Sequence, residues 1–94
     1  MEDVNDIPTE VYQVASLGEQ MEAMLGTEAF QTGVTLARAR VFEEWTRASA
    51  PSTREELHAE MRALDRLLEA FKSIDDEGVV AREAIRQRES ATDL

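Results

Sequence analysis

The chain has 94 residues, of which 20 are acidic and 10 basic, with one histidine, no cysteine and a formal net charge of −10. That length makes one small domain, and that composition excludes disulfides and cysteine-based zinc sites and sets an acidic surface against nucleic-acid phosphates. At 43% hydrophobic residues the chain is expected to fold, and no apolar run approaches the ~18–20 residues of a membrane span.

Two prolines and four glycines are the only strong breakers. Ala, Leu, Glu, Arg and Met are abundant, and all are good helix formers. The expected fold class is all-α. Residues 1–8 read as an acidic lead-in rather than a signal peptide, and Pro8 suits the first turn of a helix. The first helix is expected over 9–25. Val14, Leu17, Met21 and Met24 recur at spacings that place them on one stripe, with Val11 and Leu25 widening it. Gly18 interrupts this helix at ~1 kcal/mol relative to Ala. Either it permits a close helix crossing or it weakens the helix. Gly26 suits the position just past a helix end.

A second helix is expected over 27–49. Thr27 can cap it, and Glu28 suits its first turn. Phe30, Val34, Ala37, Val41, Trp45 and Ala48 form the strongest stripe in the chain, flanked by Leu36 and Phe42. Glu43 precedes Arg47 by four residues, the favourable order for a helical ion pair. The helix must end before Pro51, which disfavours helical geometry at Ala50.

A third helix is expected over 52–76, opened by a capping box in which Ser52 and Glu55 bond each other's backbone amides. Leu57, Met61, Leu64, Leu68 and Phe71 repeat at heptad spacing, and Leu67 and Ile74 extend that face. Arg62 and Asp65, Arg66 and Glu69, and Glu69 and Lys72 stand three residues apart as candidate ion pairs. Asp75-Asp76-Glu77-Gly78 is expected to end the helix, because negative charge opposes the dipole there. The chain thus divides into the lead-in, a helical domain over 9–78, and a weakly ordered tail or short helix over 79–94. The short turn between the second and third helices implies an antiparallel hairpin, with the first helix across or beside it. The three helices carry more apolar positions than they easily bury, which points to a protein partner or a second copy of the chain.

Charge is unevenly distributed. Residues 1–37 hold seven acidic side chains and no Lys or Arg, so that stretch carries −7 and the remainder −3. Dense carboxylates can imitate phosphates and occupy the basic groove of a nucleic-acid-binding protein. Glu10, Glu19, Glu22 and Glu28 are the candidates for such a patch; simple solubility is the plainer explanation.

Catalytic motifs are scarce. Glu55-x-x-His58 is one half of a di-iron carboxylate pattern that needs two such motifs and two further glutamates. His58-x-Glu60 lacks the cysteines of a zinc deaminase. Asp75–Gly78 lacks the alternating ligands of a calcium loop, and no phosphate-binding loop or nucleophile motif is present. The expectation is a chain that is not an enzyme, with no cofactor, no metal and no small-molecule substrate. Trp45 reads either as a core anchor or as an interface hot spot, where Trp and Arg are enriched. Phe42, Trp45, Arg38, Arg62 and Arg66 are the protein-interface candidates.

Phe30, the arginine-bearing helix ending at Trp45, Arg54-Glu55-Glu56-Leu57, Arg62-Ala63-Leu64-Asp65-Arg66-Leu67-Leu68 and Gly78-Val79-Val80-Ala81 together carry a resemblance. Over residues 24–81 the chain resembles small acidic helical proteins encoded among the head and DNA-packaging genes of tailed bacteriophages. The resemblance implies a setting, in a bacterial host cytoplasm or a virion, and transfers no site residue. The expected function is a non-enzymatic protein-binding module, an accessory or structural component of virion assembly. The alternative is an acidic phage inhibitor, of DNA-mimic, anti-CRISPR or anti-nuclease type, that blocks the nucleic-acid surface of a host defence protein.

Overall fold

The computed structural model describes residues 7–92; most of the acidic lead-in lies outside them. Three helices follow one another, α1 (Thr9–Leu25), α2 (Glu28–Arg47) and α3 (Pro51–Thr92), and the described residues contain no strand. The chain divides into two compact units. Unit 1 comprises Met1–Ala23 and Phe71–Leu94, and unit 2 comprises Met24–Ala70.

Unit 2 is a helical hairpin. Thr27 caps α2 by accepting a hydrogen bond from the Phe30 amide at 3.2 Å. The same hydroxyl donates to the Met24 carbonyl at 2.8 Å, and the Gln31 side chain donates to the Leu25 carbonyl at 3.2 Å. Orphan carbonyls at the end of α1 and an orphan amide at the start of α2 are thereby satisfied together. Gly26 takes no left-handed conformation, so the close between α1 and α2 rests on Thr27 rather than on a glycine cap.

At the other end, the Ala48 amide bonds the Glu44 and Trp45 carbonyls and closes α2. Pro51 is the first residue of α3, where its missing N–H costs nothing. The expected start at Ser52 is therefore one residue late. Ser52 lies inside the first turn, and no Ser52–Glu55 capping box forms. Cross-helix neighbours then follow the antiparallel sense. Trp45 meets Arg54 close to the turn, and farther away Arg38 Nη2 donates to Asp65 Oδ1 at 2.8 Å. Glu43 and Arg47 form the expected ion pair.

The expected stop at 75–78 is overturned, and with it the separate tail. α3 runs unbroken for 42 residues, through Asp75, Asp76, Glu77 and Gly78 to Thr92. Lys72 pairs with Asp76 at 3.5 Å, one turn apart, and relieves part of the local negative charge. Gly78 is buried and helical, without a positive φ.

Gly78 owes its place to unit 1. There α1 crosses α3 backbone to backbone. A Cβ built on Gly18 would lie 2.4 Å from the Cα of Gly78, and one on Gly78 would lie 2.5 Å from the Cα of Gly18. Both glycines are required by that approach. Among the described residues of this unit, Ala15, Gly18, Gly78 and Ala81 are the buried ones. Val11 and Leu25 share the Ala15–Gly18 side of α1 and are half-buried. The stripe of larger residues read from the spacing mostly faces outward. Val14, Leu17 and Met24 are exposed, and only Met21 of that set is half-buried. Small side chains let the backbones meet, and contact at close range takes precedence over residue size. Glu22 reaches Arg82 across the crossing at 3.0 Å.

Two predictions follow from this packing. Gly18→Ala should lower stability by about 1–3 kcal/mol, since the new Cβ has to push backbone aside. Gly33→Ala, at a helical position with nothing within 4 Å, should raise it by ~0.5–1 kcal/mol through helix propensity alone. Thermal unfolding followed by far-UV circular dichroism reads both, and a rise in Tm for Gly18→Ala would contradict the backbone contact. Farther along α3, hydrogen bonds from Arg86 hold the Glu83 carboxyl below its ordinary range. A lowered folded value means stability that is present above the ordinary carboxylate pKa and lost as pH falls through the folded one. Glu83→Gln should remove a small part of the acid-side loss of helicity, read as the difference between the two pH titrations.

Candidate functional site

The last turn of α2 and the first turns of α3 meet at Trp45. The stripe of α2 carries Trp45 toward α3, and the early start of α3 at Pro51 places Arg54 one turn into that helix. The Arg54 guanidinium carbon lies 3.8 Å from the centroid of the indole ring. At this distance the cation rests on the negative face of the aromatic system. Phe42, one turn before Trp45, stacks with it at 6.1 Å between centroids and 23° between planes. Trp45 and Arg54 are half-buried, while Phe42 is 57% exposed.

Trp45 lines two adjoining grooves of about 360 and 400 Å³, and Phe42 lines the first of them. The first is closed by Met61 and Asp65, the second by Arg54 and Glu55, and Trp45, His58 and Arg62 border both. The floor is apolar and the edges carry charges of both signs. Unit 2 contributes Leu57 alone to the buried apolar set, and leaves Leu36, Phe42 and Leu67 at 50–57% exposure. The arrangement is suited to burying an apolar side chain between an aromatic pair and Met61, with guanidinium and carboxylate groups at the rim.

The interface candidates from sequence therefore separate. Phe42, Trp45 and Arg62 come together at the groove. Arg38 is held by Asp65 on the same hairpin, with both side chains about half exposed, so it braces α2 against α3. Arg66 is exposed on α3 and lines neither groove. Arg54 was missed, because the Ser52–Glu55 pattern assigns that segment to capping. Its signal was the spacing of nine residues from Trp45 across a short turn. His58 and Glu55 both border the second groove, yet among the described residues no three His, Asp or Glu side chains gather closely enough to hold a metal ion.

The acidic candidates are divided between the two units. Glu10, Glu19 and Glu22 lie on α1 in unit 1, whereas Glu28 opens α2 in unit 2. Glu22 is engaged by Arg82. No helix among the described residues is long and apolar enough to cross a membrane. No protein family, curated protein or solved structure matches this chain.

Removing the guanidinium from the indole should be visible in both stability and spectrum. Arg54→Ala should cost about 0.5–1 kcal/mol and alter the near-UV circular dichroism of Trp45, with Arg54→Lys falling between. An unchanged tryptophan signal in Arg54→Ala would show that the guanidinium does not rest on the ring in solution.

Proposed function

We propose that this chain is a non-enzymatic protein-binding module whose docking surface is the Phe42–Trp45 groove of unit 2. The observation behind this reading is the stacked pair with its outer ring in solvent. A phenylalanine 57% exposed beside a tryptophan is surface that a monomer gains nothing by leaving in water. Aromatic and arginine side chains around one apolar depression are also the composition enriched at interface hot spots. Arg62 and Asp65 supply a rim of both signs that orients a partner more than it adds affinity.

The setting proposed for it is virion assembly in a tailed phage, as an accessory or structural component, on the strength of the resemblance over residues 24–81. The inhibitor reading, in which carboxylates stand in for phosphates, has less behind it. It needs free acidic groups, and Glu22 is paired with Arg82.

Phe42→Glu is the decisive change. The side chain is exposed, so the variant should keep the parent Tm within about 0.5 kcal/mol of stability while losing its complex. The measurement is affinity capture of the tagged chain from its native host, side by side with the variant. Portal, capsid or packaging proteins captured by the parent and lost in Phe42→Glu support the reading. Capture of a nuclease or polymerase that survives Phe42→Glu and is lost on raising salt would replace it with the inhibitor.

A further inference from the structure

We infer that unit 1 carries a second docking surface, a groove between α1 and the latter part of α3 that takes a cationic amphipathic helix of a partner protein. The groove has a volume of about 310 Å³. Val11 and Val14 line it from α1, and Val80, Ala81 and Ala84 from α3. Its remaining lining groups are two carboxylates, Glu10 and Glu77, with no cation among them. Neither carboxylate is in an ion pair with another described residue.

The groove exists because α1 meets α3 on its smallest residues. Gly18 and Ala15 occupy the contact, so the neighbouring apolar stripe stands clear of it. Val80 is 71% exposed, Leu17 50% and Val14 38%. Two helices pressed together on glycine leave a furrow beside the contact, and a furrow between two helices matches the ridge of side chains on a third. A helical occupant presents apolar residues at intervals of three and four along one face, which is how helices are taken into apolar grooves.

The charge of the lining selects the kind of helix. Carboxylates at Glu10 and Glu77 flank an apolar floor, so the complementary ligand has apolar residues centred on its docking face and Lys or Arg beside them. A second copy of this chain fits less well. It would bring a second Glu10 and a second Glu77 to the same place, and the described part of unit 1 already holds eight acidic side chains against four basic ones. Phosphate-bearing ligands are opposed by the same carboxylates. This surface is separate from the Phe42–Trp45 groove and does not rest on it.

The test uses the full chain and a synthetic Leu/Lys peptide with leucines at helical spacing. A scrambled peptide of identical composition and a Leu/Glu peptide of the same pattern serve as controls. Titration is followed by calorimetry and by backbone amide NMR shifts, with circular dichroism confirming that every variant is as helical as the parent. The expected result is binding of the periodic Leu/Lys peptide, with shifts centred on Val14, Val80 and Ala84. Val80→Glu should abolish it, and the double change Glu10→Lys with Glu77→Lys should weaken it about tenfold or more while admitting the Leu/Glu peptide. Phe42→Glu should leave it unchanged, which separates this surface from the one proposed above. Equal binding of the scrambled peptide, indifference to the charge reversals, or shifts centred on Trp45 would each overturn the proposal. So would a dimer of the chain alone, seen by light scattering, that Val80→Glu converts to monomer, because the occupant would then be a second copy.

Discussion

The contact between Gly18 and Gly78 decides how unit 1 uses its apolar side chains. Two helix backbones in direct touch leave no room for side chains between them, so the contact is made by glycine and alanine. Val11 and Leu25 stay half-buried along the contact side, while the stripe of Val14, Leu17 and Met24 is displaced around the helix. Val14 and Leu17 are exposed for that reason, although by size and periodicity they are the residues a core would take first. The furrow between α1 and α3 is the geometric remainder of the same choice. A crossing through large residues would have buried Val14 and Leu17 and left no groove beside them.

Unit 2 solves the same problem with larger residues and a looser fit. Its hairpin buries Leu57 and half-buries Val34, Val41, Trp45, Met61, Leu64 and Leu68. Two helices side by side can cover only the strip along which they meet. Side chains one position off that strip, such as Leu36, Phe42 and Leu67, face outward however apolar they are. Arg54 on the indole of Trp45 closes the turn end of the strip, and Arg38 on Asp65 braces it farther along. Both are charge contacts at a partly wet edge, where the dry interior of a larger domain is not needed.

Much of this was legible from the residues. The span of α1, the Thr27 cap, the end of α2 before Pro51, the Glu43–Arg47 pair and the hairpin all follow from local rules on breakers, caps and spacing. What was not legible depends on contacts distant in the chain. Asp75-Asp76-Glu77-Gly78 has the composition of a helix end, and the role of Gly78 inside the helix shows only in Gly18 across from it. Periodicity weights large apolar residues, so it selected the Val14–Met24 stripe and overlooked Ala15 and Gly18, whose value lies in being small. Arg54 has no signature within its own helix, because the nine-residue spacing that links it to Trp45 runs across the turn to the preceding helix. At the Phe42–Trp45 groove the aromatic members were readable from their stripe, and the guanidinium was not.

The aromatic residues also have a consequence for how the protein can be observed. Trp45 is the only tryptophan and Tyr12 the only tyrosine. Trp45 belongs to unit 2 and lines its groove, while Tyr12 lies on α1 in unit 1 and is half exposed. Each unit therefore carries its own chromophore, with no second residue of that kind to blur the assignment. Indole emission excited at the red edge of the indole band, where phenol does not absorb, therefore reports on the hairpin alone in an unlabelled sample.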